Sequence, residues 1–329
     1  MLSKERIAKN IRFEKVDRMP VMEWAPYWDL TVKRWSKEGM AADLNSRHEV
    51  RKYFNLDPLV DFWVSSKGKN CPRTEYGKPI VKSIEEYNEF RQYLYTDDIV
   101  SDEEIENAAN EQKQYGSAAF LWIWGFFWTP REILGIEDHL YAFYDESELM
   151  DMINQDQLNF IKRTVERISK KVELQFVVLG EDMSYKCGSM ISKEMFENRL
   201  VPFYKEIIPY LKNMGIKVIV DSDGLVDLPL EWYVETGFDG MLPMERQAGV
   251  DIVKYREKHP KFCFIGAFNK LLMNKGEAAM REEFERLLPV MKKGGYILGV
   301  DHQTPPEVSM EDYKLYLKLL NEYAIRAVV

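Results

Sequence analysis

The chain has 329 residues, with 54 Asp and Glu against 45 Lys and Arg and a formal net charge of −9 at pH 7. That acidic balance, without any long Lys/Arg run, excludes the basic stripe that a nucleic-acid partner requires. Hydrophobic residues at 46% and charged residues at 30% suit a globular chain with a large core, and no apolar run approaches the roughly 20 residues that span a bilayer.

Cys71, Cys187 and Cys263 are far apart, odd in number and never in a CxxC pair, which argues for a reducing compartment and against a Cys-rich zinc module. Met1 to Asp17 lacks the apolar stretch of a signal peptide, so a cytoplasmic location is expected. The length fits one domain over 1–329, a barrel with an additional N-terminal layer of helices.

Short apolar runs predict eight strands in chain order: Met19–Trp24, Leu59–Ser65, Ala118–Trp124, Phe176–Glu181, Lys217–Asp221, Gly240–Met244, Phe262–Ala267 and Tyr296–Asp301. Between the second and third, Pro72–Val81 carries a Glu-Tyr-Gly-Lys-Pro turn and predicts a small inserted hairpin. Ser83 with Glu86, Ser101 with Glu104 and Ser309 with Asp312 have the spacing of helix N-terminal capping boxes. Asp145–Val172, Lys193–Met214 and Glu277–Lys293 are amphipathic helical stretches. Continuous apolar strands alternating with helices predict an α/β fold, a (β/α)₈ TIM-type barrel.

In such barrels the chemistry gathers at the C-terminal strand ends. Those ends hold Glu23, Glu181, Asp182, Asp221, Asp223, Glu245, Asp301 and His302. Clustered carboxylates repel, so they need a cation, shared protons or a cationic ligand to persist. One imidazole among carboxylates suits a divalent metal, zinc above all, and equally suits proton transfer by a carboxyl of raised pKa. The plainer reading is that acids at loop starts cap helices and form turns, as Asp221-Ser222-Asp223-Gly224 does well. His48, His139 and His259 read as surface or structural. Trp122, Trp124, Phe127 and Trp128 read either as core or as a wall for a flat ligand.

Asp221-Ser222-Asp223-Gly224 is not a calcium loop, because Val226 stands where the turn glycine belongs and Trp232 where the bidentate Glu belongs. There is no GxGxxG after a strand, no phosphate-binding Walker loop and no GxSxG.

Several segments, in order, resemble the uroporphyrinogen decarboxylase superfamily. They are Arg12–Val21 ("R…VDR-P-V"), Arg131-Glu132 with Gly135-Ile136-Glu137 and Tyr144-Asp145, then Lys217–Gly224, Pro243-Met244-Glu245 with Ala248–Asp251, and Gly294–Pro306. The resemblance implies a barrel and one of two chemistries. Decarboxylation of uroporphyrinogen goes with an "RQAGRY" motif, whose place is taken here by Trp24-Ala25-Pro26-Tyr27-Trp28-Asp29. An acidic, aromatic mouth suits a substrate with eight carboxylates poorly.

The corrinoid-dependent methyltransferases carry a His-x-Cys-Gly zinc motif where this chain has Asp221–Gly224, and a late Cys where it has His302. Hard ligands in place of soft ones favour an oxygen substrate over a thiol. The resemblance thus implies a zinc-dependent methyltransferase, an O-demethylase component passing a methyl group to a corrinoid protein, with methyl-corrinoid (cobalamin) as the co-substrate on that partner. Asp223, Glu245, His302, Asp221 and Glu181 are then the expected metal ligands, and Asp182 or Glu23 the group acting on the leaving oxygen. Trp24, Tyr27, Trp28, Trp124, Trp128 and Asn269 are expected against the substrate. The competing expectation is a metal-free decarboxylase or lyase for a small carboxylic acid or tetrapyrrole-like substrate. Barrels of this size often pair, so a homodimer is expected.

Overall fold

A computed structural model describes residues 1–41, 44, 46–145 and 147–328. Seven parallel strands pair in chain order: β1 (Leu59–Val64), β2 (Ala118–Trp124), β3 (Phe176–Gly180), β4 (Lys217–Asp221), β5 (Gly240–Leu242), β6 (Cys263–Phe268) and β7 (Tyr296–Val300). One face of every strand converges on a single inner cluster that includes Leu59, Phe120, Val178, Ile219, Leu242, Ile265 and Ile297. Alternate residues such as Phe62, Leu121, Val177 and Val220 face outward into a larger cluster shared with the helices. A sheet whose one face meets itself is curled, as the expected barrel class requires.

Two expected elements are corrected. Met19–Trp24 carries no strand ladder. Pro20 has no N–H to offer, and the Val21 N–H donates to the Asp57 carboxylate at 2.9 Å. The segment still joins the core, since Met22 and Trp24 belong to the inner cluster and the Trp24 indole donates to Val300 O at 3.0 Å. The expected hairpin at 72–81 is instead a loop, because its Ile80 N–H is taken by Ile133 O and its Gly77 O by Ile136 N–H. Among the described residues a two-residue ribbon lies elsewhere, pairing Ser184–Tyr185 with Gly188–Ser189 after β3.

Helices Ser3–Ile11, Asp29–Lys37 and Arg47–Tyr53 form the N-terminal layer. Ile7 and Ile11 enter the inner cluster beside the strand starts, and Asn10 donates to Tyr296 O. This helix stops the N-terminal end of the sheet and leaves the C-terminal rim for ligands. All three capping serines accept an N–H three residues on, Ser83 from Glu86, Ser101 from Glu104 and Ser309 from Asp312. Among the described residues no helix is long and apolar enough to cross a membrane.

Candidate active site

The rim is densest where β3 and β4 end. Gly180 pairs with Asp221 across the two strands, and the N–H groups of Glu181 and Asp182 both donate to Asp221 O, at 2.9 and 3.0 Å. This double bond to one carbonyl holds Asp182 at φ +42°, a left-handed conformation uncommon outside glycine. Asp182 therefore stands close to Asp221 and Asp223. Burial, then the charge of Asp223, pushes its carboxyl up to about 6, against the opposing pull of Arg131. The Arg131 guanidinium lies 3.5 Å from Asp182 Oδ2 and is itself only 12% exposed.

Asp221 is pushed well above the ordinary carboxylate range by burial and by Asp223, with Trp122 pulling the other way. The Trp122 indole donates to Asp221 Oδ2 at 2.7 Å. It reaches there because Gly180 has no side chain: a Cβ on Gly180 would sit 2.2 Å from the Trp122 ring. His302 Nε2 faces Asp223 Oδ2 at 3.5 Å from across the rim. The group thus brings three aspartates together, and crowding pushes the Asp182 and Asp221 carboxyls toward their protonated forms.

Other rim carboxylates are engaged by backbone. Glu181 is fully buried and accepts the N–H groups of Phe126 (2.9 Å) and Phe127 (2.6 Å), fixing the turn after β2. Burial pushes its carboxyl up to about 7 despite those bonds. Asp301 is likewise buried and accepts the N–H groups of Arg246 and Lys270, tying the loops after β5 and β6 together. Glu245 accepts the Gly224 N–H at 3.3 Å and lies 3.9 Å from the Lys270 ammonium.

Glu23, expected to share the work of Asp182, belongs to a different neighbourhood. It is 3% exposed, its Oε1 has no hydrogen-bond partner, and burial pushes it up to about 8 against the charge of Arg51. Arg51 and Arg47 both reach Asp61 on β1, at 2.7 and 3.0 Å, and the Trp63 indole donates to the same carboxylate. Trp63 stacks on Trp122 with ring centroids 5.2 Å apart, so two indoles bridge Asp61 to Asp221. Sequence reasoning missed this pole, although an Asp inside the apolar run Leu59–Val64 was its visible signal.

The aromatics divide in the same way. Trp24 is core, and Tyr27 shares a 2.9 Å hydroxyl contact with Tyr313 beside Trp35. Trp28 is 42% exposed at the start of its helix. Arg131 lies 4.8 Å above the Trp128 ring and Lys67 lies 5.6 Å above Trp124. Asn269 Oδ1 accepts from Leu271 N–H and Gln247, capping the short turn after β6.

The five expected metal ligands do not converge. His302 faces Asp223 and Asp221 lies near it, but Glu181 is bound to backbone and Glu245 is turned to Gly224 and Lys270. Among the described residues no three His, Cys, Asp or Glu side chains are grouped to hold a metal ion. As placed, these five side chains do not surround a common point.

The sequence profile described as "Uroporphyrinogen decarboxylase (URO-D)" matches residues 147–323, more than half of the chain. The chain belongs to the uroporphyrinogen decarboxylase family. The match takes in the rim segments at Glu181-Asp182, Asp221–Gly224, Glu245 and Asp301-His302. By fold, the chain is similar to a methyltransferase from Methanosarcina mazei, with a TM-score of 0.67 at 12% identity over 98% of this chain and 99% of that one. A protein assigned as a vitamin-B12-independent methionine synthase from Listeria monocytogenes follows, with a TM-score of 0.50 at 11% identity over 94% of this chain and 97% of that one. No curated protein matches the chain in sequence.

Proposed function

We propose that this member of the family is a methyltransferase that takes a methyl group from an oxygen atom and delivers it to a reduced corrinoid carried by a partner protein. The observation that carries the proposal is the cluster of Asp182, Asp221 and Asp223 beside Arg131, in which burial and crowding push the Asp182 carboxyl up to about 6 and Asp221 upward as well. A methoxy group is a poor substrate because its oxygen leaves with negative charge. A positioned carboxylic acid removes that difficulty. The acceptor's electron pair forms the new bond to carbon, the carbon–oxygen bond breaks, and the Asp182 proton passes to the departing oxygen. Arg131 orients that carboxyl, and Asp221, hydrogen-bonded to Trp122, is positioned to return a proton to it.

Free cob(I)alamin and a series of methoxylated aromatics test the proposal anaerobically, by loss of the cobalt(I) absorbance. Asp182→Asn is expected to slow the reaction about 10²–10⁴-fold. The wild-type rate is expected to fall as pH rises through about 6, because the acid form is the active one. Equal rates in the variant would overturn the role of Asp182, and no demethylation of any substrate would overturn the function.

A metal-free decarboxylase or lyase is the second reading, favoured by Arg131 as a partly buried cation able to hold a substrate carboxylate beside the same acid. It requires CO₂ release or bond cleavage without any methyl acceptor, surviving chelator. Zinc stays an expectation of the residue types alone, and elemental analysis of tag-free protein beside the Asp223→Ala/His302→Ala double variant decides it. About one ion per chain, lost in the variant, would mean that these side chains close up on a metal.

A further inference from the structure

The pole around Arg51 has more donors than acceptors. Arg51 is 4% exposed, and of its three nitrogens only Nη1 is bonded, to Asp61. Nε and Nη2 are buried without a partner. Asp61 also accepts from Arg47 and from Trp63, so two guanidinium groups face one carboxylate. Glu23, whose field acts on Arg51, has an unpartnered buried Oε1 as well. Buried donors left without acceptors are costly, on the order of 1–3 kcal/mol each and more for charged ones. A native site that keeps two such donors on one guanidinium, beside a Glu23 that burial holds neutral, is built for an acceptor that arrives from outside.

We propose that Arg51, with Arg47 beside it, receives a carboxylate of the substrate, so that the preferred substrate is an aromatic acid and not a neutral arene. The inference rests on reading this rim as the substrate site. A guanidinium with a free Nε and Nη2 edge presents two parallel N–H groups, the geometry that matches a carboxylate. Arg47 is one-third exposed and lies 5.1 Å from the Trp63 ring centre, on a groove of about 790 Å³ that runs along β1 and is lined by Asp61 and Trp63. Trp63 and Trp122 continue from this point to Asp221. An acid entering along the groove would meet Arg47 and Trp63 first, with Arg51 held behind them on Asp61.

Glu23 makes the pole sensitive to alkali. It is held neutral at pH 7 by burial, and the groups around it are Arg51, Tyr27, Tyr313 and Tyr316, with the N–H groups of Trp24 and Ala25. The tyrosines are all pushed upward by burial and stay neutral. When Glu23 ionises, near pH 8, it becomes the partner of Arg51 and competes with the incoming carboxylate.

Calorimetric titration with 4-methoxybenzoate and 4-methoxybenzamide, in the absence of any methyl acceptor, tests this. The acid is expected to bind at least about tenfold tighter than the amide at pH 7, the ratio a charge-assisted contact gives. Arg51→Gln is expected to abolish that preference. Should that variant fail to fold, Arg47→Gln is expected to lower the preference several-fold. Glu23→Gln is expected to keep it at pH 7 and to remove its decline above about pH 8. Equal binding of acid and amide by the wild type, or binding of neither at millimolar concentration, overturns the inference. Preferential binding of the acid without any demethylation overturns the proposed function and leaves this subsite standing.

Discussion

The two poles of the rim solve opposite charge problems. At the ends of β3 and β4, Asp182, Asp221 and Asp223 crowd together with Arg131 as the neighbouring cation, and two of the three carboxyls are pushed upward. Beside β1, Arg47 and Arg51 share the single carboxylate of Asp61, whose pKa is lowered because both arginines outweigh its burial. One pole stores protons and the other stores unmet positive charge. The contrast shows why counting acids in a sequence does not reveal what a site does: the decisive quantity is the local ratio of cations to carboxylates, set by which strand edges adjoin.

The sharpest way to break the comparison is to make the same substitution at both poles. Asp61→Asn leaves the buried Arg51 and the one-third-exposed Arg47 without their counter-charge and is expected to cost about 3–5 kcal/mol in urea unfolding. Asp221→Asn removes a carboxyl already under pressure to be neutral and is expected to be near neutral or stabilising. If both cost the same, the two poles do not differ in charge balance. The link between them is tested by Gly180→Ala. Its Cβ would sit 2.2 Å from the Trp122 ring, so the indole must leave its bond to Asp221. A loss of about 1–3 kcal/mol is expected. The Trp63–Trp122 stack should also loosen, which near-ultraviolet circular dichroism reads directly.

Much of this frame is legible in the residues. Ala118–Trp124 and Lys217–Asp221 fold as strands with the bounds their apolar runs imply, and the capping serines act where their spacing places them. Met19–Trp24 misleads because its apolar pattern is genuine and buries as expected, while Pro20 and the Asp57 carboxylate remove the ladder donors. The rim acids were found by position alone, and position cannot separate Asp182, which faces the site, from Glu181, which holds the Phe126 and Phe127 N–H groups. Both follow the same strand end, one residue apart. Arg47 and Arg51 carry no such positional flag. They lie on a helix before the first strand, four residues apart, and become a pair only because Asp61 interrupts an apolar strand beneath them.

The smallest effect distinguishes stored protons from simple crowding. The folded-state pKa of Asp182 lies above its unfolded value, near 3.8, so the folded protein binds more protons than the unfolded chain between about pH 4 and 6. Stability must then decrease as pH rises through that window, opposite to the behaviour of a carboxylate held by an arginine such as Asp61. Asp182→Asn cannot take up the proton and should flatten this part of the stability–pH curve. With the side chain 32% exposed, solvent screening keeps the difference to about 1 kcal/mol or less. Urea midpoints at pH 4.5 and 7 for both proteins measure it. An unchanged slope in the variant would mean that Arg131 already neutralises Asp182, and the proton donor at this rim would have to be Asp221.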